Sequence, residues 1–111
     1  MQIWPSDADG DVLRLLEEGG FDFSKPTLID FNVEFETWPP SQTAIETLAR
    51  EYPNLTLYEP EAEFCGDITI QVHDRVSYEL VMRVQREVTD LMAPFAGRCD
   101  SWGVWQGRLT H

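Results

Sequence analysis

The sequence predicts an α+β fold in which two long helices cover one face of a four-stranded sheet. Apolar and polar residues alternate strictly from residue 29 to residue 35, which is typical of a strand with one buried and one wet face. Helical and strand-like patterns follow one another along the rest of the chain. With 111 residues, 42 % of them hydrophobic, the chain can form one core, so we expect a single domain over residues 1–111.

The first predicted element is a short helix near the N-terminus. Asp7, Asp9 and Asp11 precede and enter a mostly apolar run of residues 12–16, and a Gly-Gly pair at 19–20 ends the pattern. Acidic side chains are favoured at the positive N-terminal end of a helix. We therefore expect the three aspartates to cap this helix, since the ligand spacing of a calcium loop is absent.

Residues 26–36 form the most regular strand of the sequence. Burial of its apolar side chains contributes about 6–12 kcal/mol as an upper bound, so the rest of the chain must cover that face. Ser41 then caps a second helix, whose apolar stripe ends at Tyr52, before Pro53. Residues 55–58 alternate again and predict a short second strand.

The second half of the chain repeats this order. An acidic loop, residues 59–66, leads into a third strand at residues 68–73. Ser77 caps the longest helix, whose apolar residues recur at three- and four-residue spacing. Gly97 supplies a helix break, and residues 99–105 form the last strand.

A helix followed by strand–helix–strand–strand–helix–strand predicts the ferredoxin-like βαββαβ sandwich with an additional N-terminal helix. Right-handed crossovers make the first and third strands the central pair of the sheet. The uncovered face of the sheet would then carry Asp30, Asn32, Glu34, Thr56, Tyr58, Thr69, Gln71 and His73. The core would contain Phe31, Val33, Ile70, Val72, Val84, Val88, Leu91 and Trp102, with Asp30, Asn32 and Glu34 exposed.

The formal net charge of −12 is unevenly distributed. Residues 1–67 carry 15 acidic and three basic side chains, whereas residues 68–111 carry five of each. This excess disfavours nucleic acid as a partner and favours a basic protein. An RNA-binding sheet would also present aromatic side chains, which the predicted face nearly lacks. The alternative is a solvated surface that only keeps the protein soluble. As partner-binding candidates we single out Asp30, Glu34, Glu36, Glu61 and Glu63.

Sequence patterns of catalysis are missing. There is no nucleophile with a base nearby, no phosphate loop and no metal-ligand spacing, so we expect neither an enzyme nor a bound cofactor or metal. His73 is expected to be a solvated surface histidine. Cys65 and Cys99 form no C-x-x-C motif, so we expect two unpaired thiols. The sequence has no run of about 20 apolar residues and no signal-peptide pattern, which favours the cytoplasm and no membrane contact.

Three segments resemble the ribonuclease E inhibitor family, RraB. They are residues 12–19 (VLRLLEEG), the strand at 26–36, and residues 95–103 (FAGRCDSWG). The sharpest motif is Asp100-Ser101-Trp102-Gly103, in which Ser101 replaces the glycine that is usual in the family. The sequence ends soon after Trp105, where some members carry a long acidic tail. The resemblance covers about residues 10–106 in element order.

The resemblance implies a small acidic protein that binds ribonuclease E in its non-catalytic region and alters RNA turnover. Asp100, Trp102 and Gly103 match the family signature, and we expect them to be structural, with Trp102 packed at the core edge and Asp100 fixing a turn. Two other functions stay open: an immunity-type protein that neutralises a basic nuclease toxin, and a small-molecule regulatory domain. A monomer is favoured over a dimer, which the regulatory domain would normally form.

Overall fold

The computed structural model of the protein describes residues 5–61 and 66–104. The elements follow the predicted order: α1 (Ala8–Glu18), β1 (Thr27–Phe35), α2 (Gln42–Glu51), β2 (Leu55–Tyr58), β3 (Asp67–Asp74), α3 (Tyr78–Met92), a short 3-10 helix (Ala93–Phe95) and β4 (Gly97–Val104). Each predicted helix and strand is therefore present in the described part. The predicted extension of the last strand to Trp105 lies outside the described residues.

The sheet has the strand order β2-β3-β1-β4, and every neighbouring pair is antiparallel. The predicted central pair, β1 and β3, is confirmed. Phe31 in β1 lies opposite Ile70 in β3 on one side and opposite Trp102 in β4 on the other. A buried row of the sheet therefore crosses three strands at Phe31.

One core joins the helices to a single face of the sheet. Leu13 from α1, Leu48 from α2 and Val88 from α3 belong to the same buried cluster as Phe31. Of the residues that the sequence placed in the core, six are buried: Phe31, Val33, Ile70, Val84, Val88 and Trp102.

Two residues expected in this core, Val72 and Leu91, are only partly buried. Val72 lies beyond the short strand β2, whose pairing with β3 ends at Ile70, so one of its sides is uncovered. Leu91 lines an open groove between α2 and α3.

Side-chain caps begin the helices, as the sequence indicated for Ser41 and Ser77. Each of these hydroxyls accepts a hydrogen bond, 3.1 Å long, from the backbone N–H three residues later. In α1 only Asp7 is such a cap, accepting from the N–H of Gly10 at 2.7 Å. The prediction that Asp9 and Asp11 are also simple caps is wrong, because their side chains bond other side chains.

The break after α3 lies one residue before the predicted one. Ala96 has φ = 61°, a left-handed conformation that normally favours glycine. Gly97 is instead the first residue of β4 and is buried. A Cβ atom there would lie 2.6 Å from the ring of Phe35, so Gly97 is required by packing and not by chain reversal.

Phe31→Ala should test the central row of the sheet. Phe31 has no exposed surface, and removal of a fully buried phenyl ring costs about 3–5 kcal/mol of unfolding free energy. Leu15→Ala is the control, because Leu15 in α1 is 67 % exposed and should lose no more than about 0.5 kcal/mol. Urea denaturation measures both. Equal losses for the two variants would contradict the assigned core.

Candidate functional site

The open face of the sheet carries an acidic row near the end of β1. Glu34 in β1 lies opposite Asp67 in β3 and opposite Arg98 in β4. Asp67 in turn lies opposite Tyr58, the last residue of β2. The antiparallel pairing therefore brings carboxylates from two central strands together at the point where the acidic loop leaves β2.

Further carboxylates belong to residues that follow β1 and β2 in the sequence. Glu36 follows β1, and its N–H donates to the carbonyl of Ala96 at 3.1 Å. Glu59 and Glu61 follow β2, and Oε1 of Glu59 accepts from the indole N–H of Trp38 at 3.1 Å. We call the group formed by Glu34, Glu36, Glu59, Glu61 and Asp67 the acidic sheet end.

Of the five predicted partner-binding residues, Glu34 lies in the acidic row, Glu36 follows β1, and Glu61 follows β2 three residues after Tyr58. Glu36 and Glu61 are exposed, and Glu34 is half-buried. Glu63 lies outside the described residues. Asp30 lies further along β1, where Nε2 of Gln71 donates to its carboxylate at 2.9 Å.

The prediction that Asp30, Asn32 and Glu34 are exposed is only partly right, because all three are half-buried. They stand on a central strand, and side chains of β3 and β4 flank them on both sides. Asp30 has more room on one side, since its β4 neighbour is Gly103, next to which a Cβ would meet open space.

Arg98 provides a basic partner for the acidic sheet end. Its guanidinium lies 3.5 Å from Oε1 of Glu34 and 3.1 Å from Oδ2 of Asp100. The side chains in both pairs are 43–59 % exposed, so each pair contributes little, about 0–1 kcal/mol. The acidic sheet end therefore keeps most of its negative charge available for a partner.

Asp67 is a site residue that the sequence reasoning missed. Burial raises the pKa of Asp67 above its ordinary value, and the hydrogen bond from the hydroxyl of Thr69 only partly opposes this. The predicted acidic loop ends at residue 66 and the predicted strand begins at residue 68, so Asp67 is assigned to neither. Its place opposite Glu34 depends on the register between β1 and β3, which no local pattern shows.

The signature residues lie within β4, around a β-bulge. Asn32 pairs with Ser101 and Val33 pairs with Cys99, so Asp100 has no opposite residue in β1. The expectation that Asp100 fixes a turn is therefore wrong: it is an exposed residue inside a strand. Ser101 is also exposed, so the serine that replaces the usual glycine meets no steric obstacle.

Trp102 is 9 % exposed and packs in the core, as the sequence predicted. Its indole N–H donates to Oδ1 of Asp9 at 2.9 Å, and Nε2 of Gln85 donates to Oδ2 of the same carboxylate at 3.2 Å. Asp9 thus joins α1 to β4 and α3. Sequence reasoning could not find this contact, because the two bonded residues are separated by 93 positions.

Cys99 is a free and buried thiol. Burial and the charge of Asp100 raise the pKa of Cys99 to about 12, so the thiol stays protonated at neutral pH. Its backbone N–H donates to the hydroxyl of Thr89, and that hydroxyl donates to its carbonyl. The expected unpaired state of Cys65 concerns a residue outside the described ones.

The described part of the chain was searched for metal-binding groups and for membrane-spanning helices. Residues 5–61 and 66–104 contain no group of three His, Cys, Asp or Glu side chains arranged to hold a metal ion. None of the helices in these ranges combines the length and hydrophobicity that a membrane crossing needs. The predicted surface histidine, His73, is exposed at the end of β3.

An acidic α+β domain with a carboxylate-rich sheet end is the class of protein that the fold and the site define. The family model "Regulator of ribonuclease activity B", RraB, matches residues 6–104, and the chain belongs to this family. A search of curated proteins found no match. The family is one of regulators of ribonuclease activity, which agrees with the expectation of a regulator.

Asp67→Asn should stabilise the protein at neutral pH. Because burial raises the pKa of the carboxyl in the folded state, Asp67 contributes stability below its ordinary pKa of 3.8 and loses it as the pH rises through the folded value. The variant should therefore unfold at higher urea concentration than the parent at pH 7, with the difference absent near pH 3.

Asp22→Asn is the control, and its expected effect on stability at pH 7 is opposite to that of Asp67→Asn. The hydroxyl and N–H of Ser24 hold the pKa of Asp22 below its ordinary value, so this carboxylate contributes stability above pH 3.8 and loses it on acidification. The variant should be less stable than the parent at pH 7. A destabilised Asp67→Asn protein at pH 7 would contradict the assigned burial.

Asp9→Ala should weaken the attachment of α1. The substitution leaves the indole N–H of the buried Trp102 without its acceptor, at a cost of about 1–3 kcal/mol of unfolding free energy. Asp11→Ala removes the same charge from the same helix turn, but its exposed pair with Arg14 is worth less than about 0.5 kcal/mol. Urea denaturation should separate the two variants. Equal losses would show that the contact is not structural.

Proposed function

We propose that this protein is a cytoplasmic, non-enzymatic regulator that binds the non-catalytic region of ribonuclease E and thereby alters RNA turnover. The family match over residues 6–104 supports a role in regulating ribonuclease activity. The observation that carries the choice of surface is the acidic sheet end, where strand pairing collects carboxylates that are scattered in the sequence. Its partner would be a segment rich in Lys and Arg.

Electrostatics supports this choice in two ways. The net charge of −12 creates a long-range attraction for a basic segment, and attraction of this kind mainly raises the association rate. At the acidic sheet end, Glu36 and Glu61 are exposed and can meet a cation without the large cost of burying an unpaired charge. A nucleic acid would be repelled by the same field.

We also infer that the architecture is the ferredoxin-like sandwich. The strand order β2-β3-β1-β4, in which all neighbours are antiparallel, supports this inference, as do the helices that connect β1 to β2 and β3 to β4. In this arrangement the sheet face opposite the helices is uncovered, and Glu34 belongs to it because it alternates with the buried Val33 along β1.

The second candidate function is that of an immunity-type protein. A dense carboxylate surface would suit a basic nuclease toxin as well as a basic segment of ribonuclease E. The family match favours the ribonuclease regulator, because the matched model covers most of the chain. Binding to ribonuclease E decides between the two.

Surface plasmon resonance against the purified non-catalytic C-terminal region of ribonuclease E tests the proposal. We expect binding that weakens as salt rises, chiefly through slower association, because screening acts within about 8 Å at physiological salt. Reversal of Glu34, Glu36 and Glu61 to Lys should weaken binding by about tenfold or more at low salt. Circular dichroism should show an unchanged fold, since these side chains are at least partly exposed.

The matched control reverses Glu18, Glu46 and Glu79, which are exposed on the three helices. This variant has the same net charge as the first one, but its acidic sheet end is intact. Its binding should fall less than that of the sheet-end variant. Equal losses would show that net charge alone drives binding. If the folded parent protein does not bind at low salt, the ribonuclease E hypothesis is wrong and the immunity-type hypothesis is favoured.

A further inference from the structure

A second surface, separate from the acidic sheet end, lies between α1, α3 and β4. It is a groove of about 420 Å³ whose lining includes Asp9, Met82, Gln85, Arg86, Asp90 and Asp100. We call it the helix groove. Three carboxylates and one guanidinium among these residues give its rim a negative charge. Met82 and the protonated thiol of Cys99 supply apolar surface within it.

Gln85 is the feature of the helix groove that points to a ligand. The residue is only 8 % exposed, and it lines the groove. Its amide nitrogen is fully used, since it donates to Asp9 at 3.2 Å and to the carbonyl of Val81 at 3.1 Å. No donor among residues 5–61 and 66–104 bonds its amide oxygen.

This amide oxygen can be reached from outside the protein, and Gln85 lines the groove. Among the described residues, no fully buried side-chain oxygen is without a hydrogen-bond partner. The Oε1 atom of Gln85, which has no described donor, is therefore accessible, although the rest of the side chain is enclosed. An accessible acceptor held in place by two hydrogen bonds on the other end of the amide is a preorganised site for an incoming N–H group.

The surrounding groups are also acceptors. Asp90 is exposed and has no ion pair or hydrogen bond among the described residues. Asp100 uses Oδ2 for Arg98, and Asp9 accepts one hydrogen bond on each oxygen, which leaves further lone pairs on both carboxylates. A ligand that fits must therefore supply several donors and a positive charge.

We propose that the helix groove binds an arginine side chain of a protein partner. A guanidinium carries five N–H donors in a planar fork, matching an amide oxygen flanked by carboxylates, and its aliphatic stem suits the apolar surface of Met82. A lysine presents a compact, strongly hydrated charge with three donors, so it fits less well. Only the identity of the partner rests on the proposed function; the arginine preference rests on the groove itself.

Nuclear magnetic resonance can test this preference without any partner protein. The probe is N-acetyl-arginine N-methylamide, titrated into the ¹⁵N-labelled full chain while the side-chain amide signal of Gln85 is followed. We expect saturable shifts at Gln85, Asp90 and Asp100. The citrulline analogue, a neutral isostere, should bind at least about fivefold more weakly, and the lysine analogue should lie between them. Equal shifts with arginine and citrulline, or shifts spread over all acidic surfaces, would overturn the proposal.

Substitutions on α3 sharpen the test. Asp90→Asn should weaken arginine binding by about two- to fivefold, as expected for an exposed charged pair. Arg86→Gln should strengthen it by a similar factor, because it removes a positive charge from the lining. Glu79→Gln makes the same charge change as Asp90→Asn on the same helix, outside the groove, and should have no effect. Glu51→Gln alters a separate groove between α2 and α3, which also contains Asp90, and should have none either.

The same variants separate this inference from the proposed function. If the ribonuclease E fragment does not bind while arginine does, the proposed function fails and the arginine site stands. If the fragment binds but Asp90→Asn and Arg86→Gln behave like Glu79→Gln in both assays, the arginine site is refuted and the acidic sheet end remains the interface. The opposite effects of Asp90→Asn and Arg86→Gln, seen with both probes, would support both proposals.

Discussion

The bulge at Asp100 determines how the last strand meets the rest of the protein. Side chains alternate along a strand, so residues three apart normally face opposite sides of the sheet. Cys99 and Trp102 are three apart, and yet both face the core, opposite Val33 and Phe31. The extra residue, Asp100, restores the alternation. Without it, either the indole or the thiol would turn to solvent. The buried row at Phe31 would lose its β4 member in the first case, and the row at Val33 would lose it in the second.

The position of Trp102 in turn determines where α1 lies. The core covers the ring of Trp102, and its N–H reaches the carboxylate of Asp9 in the first turn of α1. Tyr78 adds a second contact, because its hydroxyl donates to Asp7 at 2.6 Å. This bond lowers the pKa of Asp7 and raises the pKa of Tyr78, as expected when a phenol donates to an ionised carboxylate. The N-terminal helix is thus held by polar contacts at its start and by Leu13 and Leu16 on its buried face.

The predictable and unpredictable parts of the structure differ in the range of the interactions behind them. Alternation along β1 and the hydroxyl caps at Ser41 and Ser77 are local, so the elements could be predicted from the sequence. The central pairing then followed from their order and the right-handed crossover rule. The bulge, the bond between Asp9 and Trp102, and the place of Asp67 opposite Glu34 depend on register between distant segments. A periodic pattern tells which face of a strand is buried, but it does not tell which residue lies across from it.

The two acidic surfaces are joined by Arg98. Its guanidinium contacts Glu34 at the acidic sheet end and also Asp100, a residue that lines the helix groove. Because these pairs are solvent-exposed, breaking either one costs little free energy. In the proposed complex, an arginine in the helix groove could take the place of Arg98 at Asp100 and leave Arg98 to Glu34 alone. The charge of the acidic sheet end would then be better neutralised, so the two surfaces would bind cations with weak negative coupling through this shared residue.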